Sequence, residues 1–215
     1  MPFIKKIEIE NGILGTWELT EPIDSLKAAF QFSENEKEEF KTFALKKRQS
    51  EYLATRLLLQ KVLGEKAEII YQESGRPQIK SSAKNISISH SANLVAIFIS
   101  DDLVGIDVEI ADRNIDKVVG RFLNPKELEW IEQTGNPKFL KMLFWCAKEA
   151  IYKCACQPGI QFDTQIHIQP FDFANTDFFE GKVVLPNRIA NYHLRYFQLE
   201  NNIAVYCVEV KNSLT

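Results

Sequence analysis

Leu94-Val95-Ala96-Ile97-Phe98-Ile99-Ser100-Asp101-Asp102-Leu103-Val104-Gly105-Ile106-Asp107-Val108-Glu109-Ile110 is the stretch from which the architecture reads outward. The apolar run Leu94 to Ser100 and the alternating, β-branched run Leu103 to Ile110 each predict a strand. Between them, Ser100-Asp101-Asp102 is a short polar turn and not a Pro- or Gly-rich linker, so the segments on its two sides pack together. Alternation in the second strand puts Asp107 and Glu109 on one face. At a separation of ~7 Å and an effective dielectric near ~20, the two carboxylates repel by roughly 2 kcal/mol, which a neighbouring cation would remove. Taken alone, a D-x-E pair is more often two solvated charges on an edge strand.

Upstream, Phe3 to Ile9 and Ile13 to Leu19 read as two strands joined at Asn11-Gly12, a hairpin dipeptide. Ser33 with Glu36 forms a capping-box signature before a helix Lys37 to Leu45. Lys46 to Leu63 continues helical, with Tyr52, Leu59 and Leu63 on one stripe and Gly64 ending it. Strands return at Ala67 to Tyr71, Ile86 to Ser89 and Leu94 to Ser100. Downstream the order recurs: the strand Leu103 to Ile110, a helix opened by Asn124-Pro125 with Glu127, and a long helix capped by Asn136 with Pro137 at its first position. Strands then follow near Gln165 to Gln169, Lys182 to Leu185, Tyr192 to Phe197 and Ile203 to Val210. Each half reads strand, helices, strands, which predicts an α+β fold of two similar lobes, residues 1–102 and 103–215, sharing an interface.

On the long helix Phe139, Leu140, Leu143, Phe144, Ala147 and Ile151 form the core stripe. Trp145, Glu149 and Lys153 are successive i,i+4 neighbours on one flank, so an acid and an ammonium project together. Without other context this is an ordinary surface pair worth a few tenths of a kcal/mol.

The chain has 215 residues, of which 45% are hydrophobic and 26% charged, enough for one large domain or two small packed ones. Met1-Pro2-Phe3-Ile4-Lys5-Lys6 lacks the apolar core of a signal peptide, and Leu94 to Ile99 is too short to span a bilayer, so a cytoplasmic protein without membrane association is expected. Cys146, Cys154, Cys156 and Cys207 form no C-x-x-C pair and read as free thiols, against zinc or structural disulfides. A net charge of -3 argues against nucleic acid as a partner, so any anion site must be local. His167 and His193 read as structural.

Two further segments, Gly75-Arg76-Pro77 and Asn85-Ile86-Ser87-Ile88-Ser89-His90-Ser91, precede Gly105-Ile106-Asp107-Val108-Glu109 and Trp145-Cys146-Ala147-Lys148-Glu149-Ala150-Ile151-Tyr152-Lys153. With these four motifs in this order, the chain resembles the 4'-phosphopantetheinyl transferases of the broad-specificity, surfactin-synthetase-activating type. Members of that family show a G-K/R-P turn, an N-I-S-H-S strand end, a G-I-D-V-E strand and a W-x-x-K-E-A-x-x-K helix. The likeness runs from about Lys46 to Lys153. It implies a pseudo-twofold pair of lobes that moves 4'-phosphopantetheine from coenzyme A to a serine of an apo acyl or peptidyl carrier protein, releasing adenosine 3',5'-bisphosphate.

The resemblance also implies roles. Asp107, Glu109 and Glu149 would hold Mg²⁺, a hard cation suited to carboxylates. Glu149, or else Glu109 or a metal-bound water, would take the serine proton, and Lys153 would stabilise the departing phosphate. Lys47, Arg48, Arg56, Arg76 beside Pro77, and Ser89, His90 and Ser91 would bind the coenzyme, joined by Asp107, Lys148 and Lys153. Arg113, Lys117, Arg121, Phe122 and Lys126 would offer a docking patch to an acidic carrier. Two lobes in one chain would complete a site in a monomer. The chain departs from the family pattern after Lys153, where Cys154-Ala155-Cys156-Gln157-Pro158-Gly159 replaces the usual glycines and leaves the shape of the pantetheine tunnel open. The other readings are a non-catalytic coenzyme A-binding module and a metal-dependent nuclease or phosphodiesterase; the acidic composition counts against the last.

Overall fold

The Ser33 hydroxyl accepts from the Glu36 amide at 3.3 Å while the Glu36 carboxylate accepts from the Ser33 amide at 2.9 Å, and this reciprocal cap starts helix α2, Glu34–Lys41. Asn124 and Glu127 make the same exchange at the start of α4, Pro125–Glu132. In this computed structural model, which describes residues 4–10 and 12–211, the elements follow the predicted order. Strands β1 (Ile4–Ile9) and β2 (Gly12–Glu18), helices α1 (Ile23–Ala29), α2 and α3 (Lys46–Leu63), and strands β3 (Ile69–Tyr71), β4 (Pro77–Ile79), β5 (Asn85–Ser91) and β6 (Leu94–Ser100) make the first half. Strand β7 (Val104–Ile110), a 3-10 turn Asp116–Arg121, α4, α5 (Pro137–Ala155) and strands β8 (Ile166–Ile168), β9 (Phe178–Leu185), β10 (Arg188–Leu199) and β11 (Asn202–Glu209) make the second. Phe3 and Asn11 of the expected hairpin lie outside the described residues. Sequence reading did not anticipate α1, and it took β4 for a turn.

Two antiparallel sheets result, ordered β1-β2-β6-β5-β4-β3 and β7-β11-β10-β9-β8. Without β1, the orders are the same: in each, the strand that precedes the helices pairs with the last strand of its half. The long helices α3 and α5 cover equivalent faces, and a glycine of the first strand lets each approach. A Cβ on Gly15 would lie 2.7 Å from the Val62 side chain, and one on Gly105 would drive into the Ala150 carbonyl. Leu53, Leu58, Val95 and Ile97 pack under α3, and Leu143, Ile151, Ile203 and Val205 under α5. The opposite faces of the sheets meet through Leu14, Ala96 and Phe98 against Val104, Ile106, Val108 and Ala204. Each fully buried side chain of this kind contributes about 1.5–3 kcal/mol.

The repeat extends to a buried ion pair. Arg56 of α3, 1% exposed, lies 3.4 Å from Glu36, the capping-box glutamate of α2. Lys148 of α5, fully buried, donates to Glu127, the capping-box glutamate of α4, at 2.7 Å. A glutamate that caps one helix thus also neutralises a cation inside the next.

Candidate active site

β7 lies at the edge of its sheet, which leaves alternate amides without a ladder partner. Two of them, Ile106 and Val108, donate to the hydroxyls of Ser87 and Ser89 on β5, at 3.0 and 3.2 Å. The lobes are therefore stitched together by side-chain oxygens, next to the face of β7 that carries Asp107 and Glu109.

Asp107 is buried. Its Oδ1 accepts from Lys153 Nζ at 2.7 Å and from Ser89 Oγ at 2.9 Å, and its Oδ2 is buried without a hydrogen-bond donor. The Cys146 thiol is nevertheless near enough that the carboxylate adds to burial in pushing its pKa up. Lys153 completes its contacts on the Ile106 carbonyl at 3.1 Å and Ser89 Oγ at 3.0 Å. Glu109 accepts from the Trp145 indole at 2.7 Å and from Arg113 at 2.8 Å. Burial and the Asp107 charge push its pKa up against the pull of those two donors. Glu149, one helical turn from both Trp145 and Lys153, is half-buried; desolvation, followed by repulsion from Asp107, pushes its pKa to about 7.

These carboxylates lie near enough to one another to repel. Among the described residues, however, no three His, Cys, Asp or Glu side chains converge tightly enough to enclose an ion as they stand. Lys153 occupies one oxygen of Asp107, and Trp145 with Arg113 hold Glu109 aside. The donor chemistry fits a hard divalent cation all the same: three carboxyl groups, two of them with pKa values raised by burial and by the charge of Asp107, and one buried oxygen without a hydrogen-bond donor.

A cleft of about 290 Å³ opens from Lys153, lined among others by Gly75, Arg76, Pro77, His90, Tyr152 and Cys156. Tyr71, Ile88 and His90 also line a second, neighbouring hollow flanked by Arg48, Glu51 and Arg56. Gly75, at φ +82, makes the turn that only a glycine adopts freely, and Arg76 donates to Asn85 at 3.1 Å. His90 takes a hydrogen bond from Arg48 at Nε2, 2.9 Å, which assigns it a neutral ring; burial, with Arg48 and Lys153 nearby, lowers its pKa against the opposing pull of Glu51. Glu51, buried, sits 3.0 Å from Arg48 and 3.8 Å from Lys47, whose side chain is mostly in solvent.

Several expected ligands stand elsewhere. All three ammonium protons of Lys148 are taken, by Glu127 and by the carbonyls of Phe162 and Ile166 at 2.9 and 2.7 Å, so it holds α5 in place and is not turned to a coenzyme phosphate. Arg56 is likewise committed to Glu36 and Glu39 and stacks on Tyr52 at 3.3 Å. The Ser89 hydroxyl faces Asp107 and not the cleft, and Ser91 ends β5 beyond the residues that line it. Phe122, expected in a docking patch, is fully buried under Trp145. Sequence reading missed Glu51, Tyr71, Tyr152 and the clamp of Trp145 and Arg113 on Glu109. For Arg56 and Lys148 a signal existed: each follows a capping-box glutamate, by 20 and 21 positions.

Comparison with known proteins bears on this geometry. The model of the 4'-phosphopantetheinyl transferase superfamily matches residues 103–208, the segment holding Asp107, Glu109, Glu149 and Lys153. Over that segment, just under half of its length, the chain is similar to the superfamily. A putative 4'-phosphopantetheinyl transferase of Haemophilus influenzae is 29% identical over 113 residues, covering 47% of this chain and 48% of that protein. The 4'-phosphopantetheinyl transferase AcpT of Salmonella typhimurium is 30% identical over 113 residues, 49% of this chain and 58% of AcpT. The chain thus spans about half the length of the curated relatives it matches. The α+β architecture of two antiparallel sheets agrees with the superfamily.

Proposed function

We infer that this chain transfers 4'-phosphopantetheine from coenzyme A to a serine of an apo acyl or peptidyl carrier protein, releasing adenosine 3',5'-bisphosphate. The observation that carries the reading is Glu149. A half-buried carboxyl group with its pKa raised to about 7 by burial and by the charges of Asp107 and Glu109 stands one helical turn from Lys153, which lines the cleft together with Arg76 and His90. Such a group is matched to taking a hydroxyl proton at neutral pH. Lys153, which donates to Asp107, would meet charge building on the leaving phosphate. Arg76, Arg48 and His90 would receive the anionic parts of the coenzyme.

Asp107, Glu109 and Glu149 would hold Mg²⁺, which would polarise the pyrophosphate oxygens. Held there, it would also draw the pKa of Glu149 down. The carrier, an acidic domain, would approach over the exposed Lys117, Arg121 and Lys126.

Mass spectrometry of an apo-carrier protein incubated with the chain, coenzyme A and Mg²⁺ tests the reading. A phosphopantetheine increment on the carrier serine is expected, and D107A or E149A should abolish it. Coenzyme A binding with no increment on any carrier would leave a binding module and end the enzymatic reading.

A further inference from the structure

Ser87 and Ser89 project from β5 and act alike on β7, each hydroxyl taking one of its edge amides. Ser89 does more. Its Oγ also donates to Asp107 Oδ1 at 2.9 Å and accepts from Lys153 Nζ at 3.0 Å. A hydroxyl has one proton to give and two lone pairs to receive with, and Asp107, Lys153 and Val108 use them all. The residue is buried, at 6% exposure, so water does not compete for these contacts. One atom of the first lobe therefore touches both an acid and an ammonium of the second, while Asp107 Oδ2 remains without a donor.

We propose that Ser89 is a positioning residue that fixes the Asp107 carboxylate and the Lys153 ammonium across the lobe boundary, leaving Oδ2 as the oxygen offered to a divalent cation. The cation part rests on the function proposed above; the hold on Lys153 does not. Losing a partner of this kind commonly weakens a metal site by about 10- to 100-fold.

Ser87 supplies the control, because S87A loses one inter-lobe amide contact without touching Asp107 or Lys153. The full chain would be compared as wild type, S87A and S89A, with S89C, close in shape but a weak donor, should S89A fail to fold. Three readouts are taken: melting temperature, Mn²⁺ affinity by electron paramagnetic resonance, and acetylation of Lys153 by acetic anhydride without metal, followed by mass spectrometry. S87A and S89A should lose similar stability, but only S89A should weaken Mn²⁺ binding, by about tenfold or more, and speed Lys153 labelling relative to Lys138. In the transfer assay S89A should lower kcat and leave the KM for coenzyme A unchanged.

If S89A and S87A match in Mn²⁺ affinity and in Lys153 labelling, the assignment is wrong. A selective rise in KM for coenzyme A would make Ser89 a coenzyme ligand and overturn it too. Should wild type bind no Mn²⁺, the divalent part of the proposed function falls, and Lys153 labelling alone decides for or against Ser89.

Discussion

Cys156 closes α5 in the left-handed region, at φ 48 and ψ 38, with its side chain against Ser74 on the cleft wall. A residue with a Cβ is strained there by about 1–2 kcal/mol, part of which glycine returns as unfolded-chain entropy. C156G is expected to raise the melting temperature by about 2–4 °C, for a net gain near 1 kcal/mol; an unchanged or lower value in a thermal melt would mean that the side chain contributes packing. Glu149 makes a different forecast. Its pKa is raised from 4.5 to about 7, so the stability it adds is complete below about 4.5 and is lost as pH climbs through about 7. Glu109 carries the same sign, while His90, pushed below 6.5, adds stability that is lost as pH falls. Without metal, the melting temperature should decline from about pH 5 to about pH 8, and E149Q should flatten that decline. Which acids stand on one face was legible from alternation alone. The direction of the Ser89 hydroxyl was not, because it depends on which face of β5 meets the edge of a strand in the other sheet.

At the level of elements, helix starts were the most readable feature, since the boxes at Ser33 and Asn124 are local chemistry. The interior of α5 was less so: Lys148 reads as a coenzyme ligand until a glutamate from another helix is known to meet it. Replacing Lys148 by methionine should cost about 3–5 kcal/mol in denaturant unfolding, because Glu127 is left as a buried unpaired charge, and pairing it with E127Q should recover part of the loss. A cost below about 1 kcal/mol would show that water reaches Glu127. The glycines of β2 and β7 differ in kind. Beside Gly105 stands helix backbone, whereas beside Gly15 stand the ends of Val62 and Leu58. G105A should therefore be much the worse of the two in a thermal melt, with G15A costing about 1–3 kcal/mol as its neighbours shift.

For the molecule as a whole, the like order of the two halves and the added strand β1 were visible in the sequence, but the face on which the sheets meet was not, since apolar residues on both faces of β6 give no direction. Leu14, Phe98, Ile106 and Val108 give that meeting surface an apolar core, so the two halves should unfold together, with calorimetric and van't Hoff enthalpies equal. Two separate heat-absorption peaks would contradict this. The repeated order has one more consequence. With Gly15 matched to Gly105, Trp17 falls where the second half has Asp107, and Leu57 falls opposite Glu149 when Leu58 and Val62 are laid on Ala150 and Cys154. The shape is repeated in both halves and the acids stand in one: a calorimetric titration with Mn²⁺ should end near one equivalent per chain, although the architecture is counted twice.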